Sequence, residues 1–337
     1  MEKKKNSVVK DFLSIRGMGQ VVTVTAGLIV LCIVFGILSP NFFSGRNVGN
    51  LLRQVAPILL IGIGQSYVLI TGNIDLSIGS VVGMSCMISA TLMTKGMNPW
   101  ISMIVTIVIC LGVGLVNGFL VAQCKLPPFI ATLGTMTVAR GIAQIVNNNY
   151  NTDAIGEGAQ MFRDIFYYGK FLGIYNTVWI AILLFLVFNF LLSKTRTGRH
   201  IYAVGSNIDA SKLSGVNVVA TTIKTYMVSA FCASVVGLIT CATAGMGTMD
   251  AGNMYEMYAV AASVIGGVST LGGQGLLIGT VIGAAIWGVL QNGLQFAGAP
   301  VAMRNIVIGV IVVVSVLLDV VIRTGKPRKK KITDKSN

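Results

Sequence analysis

The stretch Ser193-Lys194-Thr195-Arg196-Thr197-Gly198-Arg199-His200-Ile201-Tyr202-Ala203-Val204-Gly205-Ser206-Asn207-Ile208-Asp209-Ala210-Ser211-Lys212-Leu213-Ser214-Gly215-Val216 decides how the rest of the chain is read. It sets Lys194, Arg196, Arg199 and Lys212 against Asp209 alone, and apolar runs of membrane-spanning length lie on both sides of it. Basic loops between spans stay on the cytoplasmic side, so the stretch is expected there. A plain connection needs only a few residues, whereas this one uses about two dozen. Gly198, Gly205 and Gly215 are points where the backbone can turn, and a positive φ at Gly205 would make a β-branched replacement costly. Asn207 is suited to cap a short helix from Ile208 to Leu213. Two readings fit: a long basic loop held inside by its charge, and an element on which a cytoplasmic partner docks.

Composition places those flanking runs in a membrane. The 337 residues are 54% hydrophobic and only 11% charged, with mean hydropathy +0.80. Long continuous apolar runs fit helices of ~20 residues crossing ~30 Å of hydrocarbon. A transmembrane β-barrel would instead show short alternating segments. Forty glycines suit close helix–helix approach in lipid. The net charge of +14 is a topology signal, because 17 of the 25 basic residues fall in 1–16, 194–224 and 323–337. Such clusters attract anionic lipid headgroups, and no nucleic-acid partner is expected. Six cysteines without a C-x-x-C and a single His200 leave no metal centre and no catalytic constellation to expect.

Working outward, the chain reads as an all-α polytopic membrane protein with about ten transmembrane helices and cytoplasmic termini. The spans are expected near 18–38, 55–71, 76–94, 100–122, 128–146, 174–192, 222–245, 254–268, 275–296 and 303–322, the eighth being short and opening with Glu256. Residues 1–17 and 323–337 form basic cytoplasmic ends around a transmembrane domain over 18–322. Residues 41–54 read as an amphipathic outer segment, 147–173 as the large outer loop and 193–220 as the main inner loop.

Asp75 stands out between two apolar runs, in Thr71-Gly72-Asn73-Ile74-Asp75-Leu76-Ser77. A carboxylate at bilayer depth costs ~2.5–3.5 kcal/mol on insertion scales unless it meets protein or water. It reads either as a cap on the following helix or as part of the inner mouth of a pathway. In the fifth span Ala131, Thr135, Ala139 and Ala143 form a small-residue stripe, with Thr132, Arg140 and Gln144 beside it. Arg140 is able to snorkel outward or to meet a solute. Glu256 lies among Tyr255 and Tyr258 near the outer face, and Gly275, Gly279 and Gly283 suit a tight helix contact. The nucleotide-binding pattern G-x-x-x-x-G-K-[ST] is absent, so energy for any pumping must come from another protein.

Four stretches together carry a family resemblance: Gly72-Asn73-Ile74-Asp75-Leu76-Ser77; Leu126-Pro127-Pro128-Phe129-Ile130-Ala131-Thr132-Leu133-Gly134; Thr197-Gly198-Arg199 with Ala203 to Asn207 and Ser214-Gly215-Val216; and Gly266-Gly267 through Gly272-Gly273 to Asn292-Gly293-Leu294. In this order, across roughly 50 to 320, the chain resembles permease subunits of ATP-binding-cassette importers for ribose, galactose, xylose and related sugars. It departs from them at Asn73, where Gly is usual, at Thr197, where an aromatic is usual, and at Asp209-Ala210-Ser211, where Glu-Ala-Ala is usual.

The resemblance implies a multi-pass protein of the bacterial cytoplasmic (inner) membrane that forms the pathway for a monosaccharide. It implies a translocation set of Asn73, Asp75, Ser77, Thr132, Glu256 and Asn292. It also implies a coupling helix with Gly198, Arg199, Ala203, Gly205, Asn207, Asp209, Ala210 and Gly215 at the contact with a separate ATPase, which binds the ATP and Mg²⁺. No cofactor is expected in this chain. The expected partners are that ATPase, a second permease chain (identical or different), an extracytoplasmic sugar-binding protein and membrane lipid. Importers of the same build for a nucleoside, a signalling sugar or a branched-chain amino acid are the near alternatives. An ion-coupled secondary transporter is the more distant one.

Overall fold

The computed structural model describes residues 18–324; the basic N-terminus 1–17 and the tail beyond 324 lie outside the described residues. The apolar runs form helices because, without water, a backbone must satisfy its own N–H and C=O groups. In chain order these are α1 (Met18–Leu38), α2 (Gly45–Ile70), α3 (Ile78–Thr94), α4 (Pro99–Ala122) and α5 (Pro128–Ile145). Next come the short α6 (Gln160–Arg163), a two-residue strand pair β1 (Lys170–Phe171) and β2 (Ile174–Tyr175), and α7 (Asn176–Lys194). The chain continues with α8 (Arg196–Ser206), α9 (Ile208–Leu213), α10 (Val218–Ala244), α11 (Tyr255–Ile265), α12 (Leu277–Phe296) and α13 (Val301–Thr324).

Among the described residues six helices are long and apolar enough to cross a membrane: α1, α2, α4, α7, α10 and α12. Among the described residues the regular structure is helical apart from the antiparallel β1–β2 pair, with Lys170 opposite Tyr175. α2, α3, α10 and α12 form the buried centre, with α10 packed against α4, α3 and α2, and α11 against α2 and α12. α1, α4 and α7 turn exposed apolar side chains outward, among them Ile37, Val108 and Leu183. Such faces suit lipid chains as their solvent.

Three boundaries differ from the sequence reading, each for a physical reason. Residues 41–54 are not a separate amphipathic segment, because α2 begins at Gly45 with Ser44 as its cap and runs through Pro57 to Ile70. The polar residues that broke the hydropathy pattern have partners elsewhere in the molecule. The inner loop is more helical than its glycines implied, since α8 takes in both Gly198 and Gly205. α11 has 11 residues and is about 16 Å long, roughly half the hydrocarbon thickness. The run 254–268 therefore does not cross as a helix on its own.

α10, with 27 residues and about 40 Å of length, separates two ends of the molecule. At its start lie α8 and α9. At its finish lies the 147–175 segment, where Ile155 N–H donates to Gly245 O (2.9 Å) and Thr152 N–H to Gly247 O (3.0 Å). Phe162 and Phe166 are buried there with ring centroids 4.9 Å apart, so this segment is an ordered cap on the helix ends.

Candidate functional site

Two constructions concentrate the polar chemistry of the chain, and the first is the break between α2 and α3. Helical backbone stops at Ile70, and residues 71–77 run as a turn and an irregular segment among packed helices before α3 begins at Ile78. Asp75 in that segment is 2% exposed. Its Oδ1 accepts from Ser77 N–H (2.9 Å) and Ser77 Oγ (2.6 Å), and its Oδ2 from Ser229 Oγ on α10 (2.7 Å). Asn117 on α4 donates to Ser77 Oγ (2.9 Å), and Thr135 on α5 donates to Asn117 Oδ1 (2.6 Å). Tyr226 on α10 donates to Ile74 O (3.0 Å). A buried carboxylate is tolerable when it is this fully hydrogen-bonded. Asp75 thus joins the break to α10, α4 and α5, and it holds Ser77, the N-cap residue of α3, whose own side chain makes no capping bond. Asn73 is half-buried and reaches only Thr71 Oγ1 (2.9 Å).

The second construction is the α8–α9 end. Thr195 caps α8 by accepting from Gly198 N–H (3.3 Å). Asn207, extended at φ −165°, caps α9 by accepting from Ala210 N–H (2.9 Å), over the Ile208–Leu213 range expected for it. α8 lies on the glycine-rich turn between α11 and α12. Tyr202 OH donates to Gly275 O (2.6 Å), and burial raises its phenol from its ordinary 10.0 to about 12, keeping it a neutral donor. Gly273 N–H donates to Ile70 O (2.8 Å), tying the same turn to the end of α2. Gly273 has φ +70°, a conformation that glycine adopts without strain.

Gly205 is not a left-handed residue. It is helical, and a Cβ there would collide with the Ile70 carbonyl and Gly273 N. Of the three glycines in the stretch only Gly215, φ +78°, has a positive φ. Gly198 is buried against the Leu192 carbonyl. The free face belongs to α9: Asp209 is exposed beside Lys212 (3.8 Å), and Ile208 and Leu213 are 48% and 90% exposed. Arg199, Asn207 and Ala210 are exposed as well, and Ala203 is half-buried.

The other expected residues do not join one site. Thr132 is fully buried and bonds back to Pro128 O (2.8 Å), while Ala131, Ala139 and Ala143 bury the expected small-residue face. Arg140 does not snorkel: its Nη1 donates to Met249 O (2.9 Å) and Ala251 O (2.8 Å), holding the non-helical segment before α11. Glu256 opens α11 against Gly79 of α3, and its Oε2 is buried without a hydrogen bond. Asn292 exchanges two bonds with Asn47 of α2 (2.9 and 3.1 Å) and is a clamp between helices. Gly279 and Gly283 do provide the close approach of α12 to α11, whereas Gly275 precedes the helix.

Sequence reasoning missed a polar face of α12. Trp287, Gln291 and Gln295 recur every fourth residue and line a cavity with Arg53, Gln54, Tyr255, Tyr258 and Arg304. The four-residue spacing was a readable signal, but the residues facing it come from five other segments of the chain.

The family model for the branched-chain amino acid transport system / permease component matches residues 47–316. The ribose import permease of Bacillus subtilis (strain 168) is 37% identical over 295 residues, 87% of this chain and 90% of that protein. The ribose import permease of Escherichia coli (strain K12) is 36% identical over 87% of this chain and 91% of its own length. The galactose/methyl galactoside import permease of Haemophilus influenzae is 34% identical over 86% and 92%. No solved structure matches.

Proposed function

The chain belongs to the family of branched-chain amino acid transport system permease components, and from that premise we propose that it is the membrane permease subunit of an ATP-driven monosaccharide importer. The observation that carries the choice of sugar over amino acid is the 37% and 36% identity to ribose import permeases along most of the chain. A D-allose transport permease at 32% identity belongs to the same set. The protein sits in the bacterial inner membrane, where its apolar outer helices meet lipid.

The finer arrangement follows from chemistry. ATP and Mg²⁺ bind a separate ATPase, since this sequence has no phosphate-binding loop. That ATPase docks on α9, whose Ile208 and Leu213 are apolar and exposed beside Asp209. Motion received there reaches the bundle through α8, because Tyr202 and Gly205 fasten it to the Gly273 turn and the end of α2. From that point the 71–77 break passes it to α3, α4, α5 and α10 through the Asp75 network. A second permease chain completes the pathway, and a sugar-binding protein delivers substrate at the opposite end. Both termini and the α8–α9 end face the cytoplasm, in agreement with the basic-residue distribution. Asn73, Asp75, Ser77, Thr132 and Asn292 act on that pathway as supports of its wall, given their burial or their bonded state, and Glu256 by its place against Gly79 of α3.

The test is uptake in proteoliposomes containing this chain, its ATPase and binding protein, and labelled ribose, galactose or allose. Sugar accumulation that requires ATP is expected. Uptake driven by an ion gradient without ATP would replace this reading with a secondary transporter. Competition by leucine but by no sugar would move the substrate to amino acids.

A further inference from the structure

At the end of the molecule opposite α8 and α9, a cavity of about 380 Å³ lies among α2, α10, α11, α12, α13 and the cap segment. That size falls within the range of small-molecule sites, about 300–1,000 Å³. Its wall on α12 changes with each turn from Trp287 to Gln291 to Gln295. Tyr258 meets the Trp287 ring edge-on at 4.5 Å, and Tyr255 lies 5.6 Å from Tyr258, so the part around Trp287 is aromatic. Gln54 adds a third amide.

Charge in the cavity has one sign. Arg53 is held between the rings of Tyr167 and Tyr175 at 4.2 and 4.3 Å and donates to Asn50 Oδ1 (3.2 Å). Stacking uses the faces of a guanidinium and leaves edge N–H groups for other acceptors. Arg304 contributes a second guanidinium, and no Asp or Glu lines the cavity. Among the described residues the one ion pair is Lys212 with Asp209, so neither arginine has a carboxylate partner. Two buried donors on this lining also lack an acceptor, Trp287 Nε1, whose side chain is only 4% exposed, and Arg304 Nε. Buried donors in folded proteins nearly always find an acceptor, in protein, water or ligand.

We propose that this cavity binds a sugar acid, a monosaccharide-sized ring of hydroxyls that carries one carboxylate. The aromatic part takes the C–H face of the ring, the glutamine amides match hydroxyls as both donors and acceptors, and the guanidiniums take the carboxylate. A neutral sugar leaves two cations without a counter-charge, and an apolar ligand leaves the amides unmet. The choice of sugar chemistry rests on the import function proposed above; the carboxylate rests on the lining alone.

The experiment uses the full-length permease in phosphatidylcholine nanodiscs, without ATPase or binding protein, titrated with D-galacturonate, D-glucuronate, D-galactose and D-ribose. Tryptophan fluorescence and calorimetry read the binding. Saturable binding of a hexuronate is expected, with the neutral sugars weaker by on the order of tenfold or more, a preference that Arg304→Gln removes. Trp287→Phe should abolish the fluorescence change while calorimetry still reports binding. Equal binding of neutral sugars, no saturable binding in the unaltered protein, or displacement by inorganic phosphate as effective as by hexuronate would overturn the proposal. Because binding is read without ATP or partners, its failure leaves the uptake result standing, and failed uptake leaves this result standing.

Discussion

Three donors converge on the Asp75 carboxylate, and removing it leaves Ser77 N–H, Ser77 Oγ and Ser229 Oγ without their acceptor. Leaving buried donors unpaired costs roughly 1–3 kcal/mol each. Asp75→Leu is therefore expected to lower both the thermal midpoint in detergent and sugar uptake, while Asp75→Asn, which keeps one acceptor oxygen, loses less. Parental melting and uptake in the leucine variant would remove the network from the account. Gly205 yields a different expectation, since its neighbours are the backbone of Ile70 and Gly273, which cannot turn aside as a side chain would. Gly205→Val should prevent folding, read as loss of the monodisperse peak in size-exclusion chromatography. A normal peak would mean that α8 shifts freely on the turn. The sequence made Asp75 conspicuous, yet its partners on α10, α4 and α5 come from residues 42 to 154 positions away and leave no local trace.

At the scale of elements, α9 was the most legible part of the candidate site. Its cap, length and start depend on Asn207 and the next six residues, all of them local. The start of α2 was illegible for the opposite reason, because Asn47 and Arg53 are satisfied by Asn292 and by two tyrosines from the cap segment. If α9 is the docking element, Leu213→Asp and Asp209→Lys should leave the permease monodisperse and weaken co-purification of the ATPase. Undiminished capture and normal substrate-stimulated hydrolysis in both variants would assign docking elsewhere. Tyr202 supplies a pH expectation. Its phenol is raised above its unfolded value, so the hydrogen bond to Gly275 contributes fully below pH 10 and is lost as pH climbs toward about 12. The stability difference between the parent and Tyr202→Phe should accordingly stay flat from about pH 6 to pH 9. A difference that shrinks within that window would show the phenol ionising early.

For the whole molecule, the apolar runs disclosed most helix positions, because burial in lipid imposes the same hydropathy on any span. They disclosed neither the half-length α11 nor the irregular segment 71–77, whose shape depends on neighbours. Orientation is open to a direct check. Asn148 is exposed at the cap end, and Cys124, between α4 and α5, is the exposed thiol among the described cysteines. An impermeant maleimide added outside cells is expected to label Asn148→Cys and to spare Cys124 until the membrane is opened. The reverse order would invert the topology. The bond between Ile70 and Gly273 also has a consequence for the order of assembly during synthesis. Its two ends are made roughly ten to forty seconds apart at 5–20 residues per second. Until the ribosome has passed the glycine turn, α8 has no platform to rest on. If α9 is the docking element, a nascent or truncated chain can therefore fill the membrane with its first helices and still present no rigid lever to an ATPase.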